Sequence, residues 1–64
     1  MQLTQREMEI CHYISLGLNN KQIAQIMNIS IHTVKAHLSH LFFNNQNIKN
    51  RTQLAYILGK ENIV

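Results

Sequence analysis

The sequence predicts an all-α fold in which four short helices pack around a single core. Apolar residues recur every three or four positions, which is the helical period, and no segment carries a strand signal. A residue that commonly caps helices precedes each apolar run. The chain contains two glycines and no proline, which argues against a loop-rich or all-β fold. Its 64 residues suffice for one domain, spanning residues 1–64, with one core.

The first helix is predicted over residues 5–16. Thr4 and Glu7 have the spacing of a capping box, in which each side chain bonds the backbone N–H of the other residue. Gly17 then supplies a left-handed stop. The apolar residues of this segment recur at helical spacing: Ile10, Cys11, Ile14 and Leu18.

The second helix is predicted over residues 20–27. Asn19 is its N-cap, and Gln22 stands three residues later, as in a second capping box. Asn28 can adopt the left-handed conformation that a tight turn requires. The residues expected to face inward are Ile23, Ala24 and Met27.

The third helix, predicted over residues 31–45 after Ser30 as cap, has two different faces. At about 100° per residue, one side collects the apolar residues Val34, Leu38 and Leu41. The opposite side collects His32, Lys35, Ala36 and Ser39. A helix that offers small, hydrogen-bonding and basic groups can lie in the major groove of DNA. The same pattern also fits any amphipathic helix, so only the surrounding sequence can distinguish a DNA-binding helix from an ordinary one.

A polar connector over residues 44–47 precedes the fourth helix, which is predicted over residues 51–59 with Asn50 as its cap. Its inward residues are Leu54, Ala55 and Leu58. The tail from Lys60 to Val64 either packs or frays.

The composition favours a reduced, cytoplasmic protein with a polyanionic partner. Six basic and three acidic residues give a net charge of +3, although a charge of this size also serves solubility alone. The single Cys11 excludes an internal disulfide framework. No apolar run approaches the roughly 20 residues that span a bilayer, and no export signal opens the chain. We therefore expect no membrane association.

An enzymatic role is not expected. Cys11 and His12 are adjacent, so on a helix they do not face each other, and the chain has neither an aspartate nor a glycine-rich phosphate loop. Three histidines spread around the third helix without cysteine or carboxylate partners: His32, His37 and His40. We expect no metal, no cofactor and no small-molecule ligand.

Four pieces of the sequence, in this order and spacing, resemble the LuxR-type (GerE-type) helix-turn-helix domain of bacterial transcription regulators. The pieces are Leu3-Thr4-x-Arg6-Glu7-x-Glu9, Gly17-Leu18-x-Asn20-Lys21-x-Ile23-Ala24, Ile29-Ser30-x-x-Thr33-Val34-Lys35-x-His37 and Asn50-Arg51-Thr52-Gln53. The likeness covers about residues 3 to 57. It implies a four-helix domain that binds double-stranded promoter DNA, with the helix-turn-helix at about residues 20–39 and the third helix in the major groove.

The resemblance assigns two sets of DNA-binding residues. The base-facing positions are His32, Lys35, Ala36 and Ser39. The positions that hold the sugar-phosphate backbone are Asn20, Lys21, Ser30 and Thr33. Each has a simpler alternative: Ser30 and Thr33 can act only in capping, Lys35 can be a solvated charge, and Ala36 can reflect helix propensity. His37 fits a packed structural histidine as well as a phosphate ligand.

Two further pairs of residues lead to structural hypotheses, one about an ion pair and one about the end of the third helix. Glu7 and Arg51 match positions whose opposite charges could join the first helix to the fourth. Phe43 and Asn45 depart from the family pattern, which usually has a basic residue near the first position and an apolar residue near the second. This chain also has one extra residue before the segment that begins at Ile48. Phe43 can contact a sugar, cover the loop or turn inward. Because a basic residue is missing there, we expect weaker phosphate binding.

The family implies that two copies bind an inverted repeat and pair through the fourth helix. The outward residues of that helix are Gln53, Tyr56, Ile57 and Lys60; scattered surface apolar residues are the alternative to a pairing patch. RNA polymerase is a further partner consistent with this role. The competing function is a helix-turn-helix protein-interaction module, an anti-activator that pairs with a full-length regulator. The chain is either a small stand-alone regulator or a piece of a larger one.

Overall fold

The computed structural model describes residues 1–61, which form four α-helices and no strand, as predicted. These are α1 (Gln5–Ser15), α2 (Asn20–Met27), α3 (Ile31–Asn44) and α4 (Arg51–Glu61). The ends of α1 and α3 fall one residue before the predicted ones, and α4 continues two residues further. Residues 62–64, on which the sequence left packing and fraying open, lie outside the described range. No helix within that range is both long and apolar enough to cross a membrane.

Two capping boxes start α1 and α2. The Thr4 hydroxyl accepts from the Glu7 N–H at 3.1 Å, and the Glu7 carboxylate accepts from the Thr4 N–H at 3.0 Å. Asn19 and Gln22 exchange the equivalent pair of bonds at 2.9 Å each. Each box satisfies two backbone donors that a helix end would otherwise leave unpaired.

The other predicted caps and left-handed residues are also observed. Ser30 Oγ accepts from the N–H of Thr33 at 3.1 Å, and Asn50 Oδ1 accepts from the N–H of residue 53 at 2.8 Å. Gly17 has φ of +84°, and Asn28 has φ of +56°. Both residues occupy the left-handed region, which glycine adopts freely and asparagine tolerates. The turn between α2 and α3 is therefore fixed by local chemistry.

All four helices contribute to the core: α1 packs against α3 and α4, and α2 packs against α3. Within residues 1–60, eleven apolar side chains are buried in it: Ile10, Cys11, Ile14, Ile23, Ala24, Val34, Leu38, Leu41, Ile48, Leu54 and Leu58. Each fully buried leucine or isoleucine contributes about 1.5–3 kcal/mol by leaving water. Ile48 is the core member that the helical pattern missed, because it lies in the connector between α3 and α4.

Asn45 is buried at the C-terminal end of α3, where the resemblance predicts an apolar residue. Its side chain accepts from the Gln2 N–H at 2.7 Å and donates to the Gln2 carbonyl at 2.9 Å and the Leu41 carbonyl at 2.8 Å. Three hydrogen bonds compensate the removal of the amide from water. The departure from the family pattern thus attaches the N-terminal segment to α3.

The hypothesis that Glu7 pairs with Arg51 is wrong. Glu7 is 2% exposed and pairs with His40 on α3. Arg51 donates instead to the Leu18 carbonyl and to the side chain of Asn20. Glu7 therefore joins α1 to α3, and Arg51 joins α4 to the start of α2, in place of the expected link between α1 and α4.

Candidate nucleic-acid interface

The exposed side of α3 carries the four residues that the sequence placed there. Val34, Leu38 and Leu41 face the core. His32, Lys35, Ala36 and Ser39, here called the α3 stripe, are all exposed. They lie within eight consecutive residues, the first and last of which are about 10 Å apart along the helix axis at 1.5 Å per residue. The two predicted faces are confirmed, and the stripe leaves hydrogen-bonding, basic and small groups accessible together.

Exposed lysines add positive charge to the surface, and one of them, Lys35, belongs to the α3 stripe. Within residues 1–60, Lys21, Lys35 and Lys49 are exposed and form no salt bridge. Of the acidic groups in that range, Glu9 pairs with Arg6 at 3.2 Å and the other pairs with a histidine. Positive charge without nearby carboxylates attracts a polyanion.

Ser30 and Thr33 lie at the start of α3 and act in capping, as the simpler interpretation required. Their hydroxyl oxygens are 2.9 Å apart, and both residues are exposed. Capping does not consume a hydroxyl, since each can donate once and accept twice. The same two groups therefore remain able to bond an anionic oxygen from solvent.

Asn20 and Lys21 form the first turn of α2. Lys21 is exposed, whereas Asn20 is half-buried and its Oδ1 accepts from the Arg51 guanidinium. No local sequence pattern predicts this contact, because 31 positions separate the two residues.

His40 is the partner of the buried Glu7 carboxylate. Burial raises the pKa of Glu7, but hydrogen bonds from His40 and the Thr4 N–H, together with the charges of His40 and His37, outweigh burial and lower that pKa below its ordinary value of 4.5. The pair joins α1 to α3, and His37 is half-buried nearby. Sequence reasoning considered His40 only as a metal ligand and missed this role.

Cys11 is buried in the core and is not a reactive group. Burial, and secondarily the negative charge of Glu7, raise the pKa of its thiol to about 11. A thiol with so high a pKa is almost entirely protonated at neutral pH and is a poor nucleophile. Within the described residues, no group of three or more histidine, cysteine or acidic side chains could hold a metal ion.

Phe43 is 72% exposed on the last turn of α3. Of the three alternatives for this residue, an inward position is excluded. Its helical angle is within about 40° of the stripe residues His32, Ala36 and Ser39 at 100° per residue. An apolar surface thus extends the stripe toward the C-terminal end of the helix.

The outward face of α4 differs from the prediction at one residue. Gln53, Tyr56 and Lys60 are exposed, but Ile57 is half-buried because it packs against the core. Tyr56 and Ile57 also border an open cleft of about 390 Å³. The cleft is lined further by residues from the N-terminus and the end of α3, among them Met1, Gln2, Asn44 and Asn45.

Comparison with known proteins places these features in a family. The model of the luxR family of bacterial regulatory proteins (GerE) matches residues 1–58. The nitrate/nitrite response regulator protein NarP of Escherichia coli is 51% identical over 39 residues, which cover 61% of this chain and 18% of NarP. The response regulator protein VraR of Staphylococcus aureus is 37% identical over 62 residues, which cover 97% of this chain and 29% of VraR.

The chain spans less than a third of the length of either relative. The family match nevertheless covers all four helices up to Leu58, including both helices of the predicted helix-turn-helix. This chain therefore belongs to the luxR family of bacterial regulatory proteins.

Proposed function

We propose that the chain acts as one domain that binds double-stranded DNA sequence-specifically within a bacterial transcriptional regulator. Family membership and similarity to two response regulators support DNA-binding transcriptional regulation. The observation that carries the finer assignment is the α3 stripe, which is exposed along the side of α3 opposite the core. In this proposal α3 enters the major groove.

The stripe matches the chemistry of base edges. Its length of about 10 Å corresponds to about three base pairs at 3.4 Å each. Lys35 can donate to guanine O6 or N7, and Ala36 can contact a thymine methyl group. His32 and Ser39 add hydrogen-bonding groups one turn to either side.

A second set of residues would position the domain without reading sequence. Ser30 and Thr33 at the start of α3, and Asn20 and Lys21 at the start of α2, offer hydroxyl, amide and ammonium donors. Contacts of this kind with phosphates set register and orientation. They also make the affinity depend on salt.

Binding of an inverted repeat by two copies is part of the proposal. Two recognition helices related by a twofold axis would enter successive major grooves about 34 Å apart. The candidate pairing surface, here called the α4 patch, comprises Gln53, Tyr56, Ile57 and Lys60. The exposed ring of Tyr56, at 67% exposure, is its largest accessible apolar group.

The test compares the affinity for a preferred DNA duplex with the affinity for a scrambled one. The preferred duplex is first selected from random DNA. Lys35→Ala should reduce the affinity for the selected duplex by about 10- to 100-fold, the scale of a good base contact, while the affinity for a scrambled duplex changes far less. Lys49→Ala is the matched control, because it removes the same exposed charge outside the stripe and should leave the ratio of the two affinities unchanged.

An unchanged ratio in Lys35→Ala would remove α3 as the reader of sequence. A parent chain that binds no duplex DNA at low salt would instead favour the protein-interaction module, an anti-activator that pairs with a full-length regulator.

A further inference from the structure

Arg51 joins the start of α4 to the start of the helix-turn-helix. Its Nη2 donates to the Leu18 carbonyl at 2.6 Å, and its Nη1 donates to Asn20 Oδ1. The acceptors lie 33 and 31 positions earlier in the chain, in the connection before α2 and in its first turn. One half-buried guanidinium therefore ties together two segments that are distant in sequence.

This contact fixes which end of the Asn20 amide is available. A guanidinium has only donors, so the amide must turn its oxygen toward Arg51 and its NH₂ group away. Within the described residues, Nδ2 of Asn20 has no hydrogen-bond partner, and no buried side-chain nitrogen or oxygen is left unpaired. Nδ2 consequently reaches solvent as a free donor.

We propose that Arg51 is a positioning residue for DNA binding, which holds Asn20 so that its Nδ2 donates to a DNA phosphate oxygen. The inference rests on the proposed function, because it assigns a phosphate to Asn20. A donor that is already oriented loses little rotational freedom on binding. The neighbouring cation also polarises the amide and strengthens the bond that Nδ2 donates.

An isosteric substitution separates the structural contact from the DNA contact. Asn20→Asp keeps an oxygen for Arg51 and turns that hydrogen bond into an ion pair, so the unfolding temperature should equal or exceed the parent's. The same change removes the donor and directs an anion at the phosphate. The affinity for a mixed-sequence DNA duplex, followed by fluorescence anisotropy, should fall by about tenfold or more.

Gln25→Glu is the charge-matched control, since it adds one negative charge at an exposed position on the same helix. It should weaken binding much less than Asn20→Asp. Equal losses in the two variants would mean that net charge alone is responsible and would overturn the role of Asn20.

A double-mutant cycle tests whether Arg51 acts through Asn20. Arg51→Lys keeps the charge but loses the fork that reaches two acceptors. In the parent background it should weaken duplex binding by about fivefold without changing the salt slope, and in an Asn20→Ala background it should cause no further loss. The same loss in both backgrounds would show that Arg51 acts independently and would overturn the proposal.

Lys35→Ala measured in the same assay on the selected duplex distinguishes failure of this inference from failure of the proposed function. If specificity depends on Lys35 while the effects of Arg51→Lys and Asn20→Ala simply add, only the positioning role is wrong. If the parent binds no duplex at all, both proposals fail together.

Discussion

Asn45 and Gln2 exchange two hydrogen bonds across 43 positions of sequence, at 2.7 and 2.9 Å. The amide is 5% exposed and also donates to the Leu41 carbonyl. It both caps the C-terminal end of α3 and holds the segment that precedes α1. A polar residue can occupy this position because all of its bonds are made within the protein.

Replacing Asn45 should destabilise the domain. Asn45→Ala removes the three bonds and leaves a small void, and we expect a loss of about 2 kcal/mol in the free energy of unfolding. Chemical denaturation monitored by circular dichroism measures it. Asn47→Ala, at an exposed position in the same connector, should change stability by less than about 0.5 kcal/mol. Equal stability of the two variants would contradict the role of Asn45.

The Glu7–His40 pair predicts a loss of stability in acid. Because contacts with His40 and Thr4 lower the pKa of Glu7 in the folded state, its contribution is complete above the unfolded pKa of about 4.5 and disappears as pH falls through the folded value. Thermal unfolding between about pH 6 and pH 2.5 should show this decline.

Glu7→Gln should flatten that decline and lower stability at neutral pH, because the amide cannot replace the carboxylate beside His40. Glu9→Gln is the control, since Glu9 forms only an exposed pair with Arg6. A parent-like acid profile in Glu7→Gln would assign the pH dependence to other groups.

The exposed Phe43 predicts a variant that binds DNA more tightly. Phe43→Lys introduces a cation on the last turn of α3, beside the stripe, and should raise duplex affinity several-fold at low salt. The slope of log affinity against log salt should become steeper by about one unit. Met8→Lys adds the same charge on α1, outside the proposed interface, and should leave the slope nearly unchanged. No difference between the two variants would place the end of α3 away from DNA.

The α4 patch predicts cooperative binding to an inverted repeat. Tyr56→Glu should reduce the cooperativity between two half-sites by about 1–2 kcal/mol, as expected for loss of a small apolar contact, while binding to a single half-site stays near the parent's. Tyr56 suits this test better than Ile57, because Ile57 also packs against the core. Electrophoretic mobility shifts on one-site and two-site duplexes measure both quantities. Unchanged cooperativity would show that the α4 patch does not pair two copies.

The sequence by itself determined the four helices, their caps and the two faces of α3. These features depend on residues three or four positions apart: Thr4 with Glu7, Asn19 with Gln22, and the spacing of Val34, Leu38 and Leu41. Helical geometry alone brings such residues together. The motif pieces then indicated the family, which the match over residues 1–58 confirmed.

Only the tertiary structure decided which polar groups pair across the core. The resemblance suggested that the opposite charges of Glu7 and Arg51 could pair, but Glu7 lies against His40, 33 positions away, and Arg51 bonds Leu18 and Asn20. Charge shows that a partner is needed, whereas the packing of α1, α3 and α4 determines which partner is within reach. Contacts over such separations depend on the relative placement of whole helices, which local periodicity does not encode.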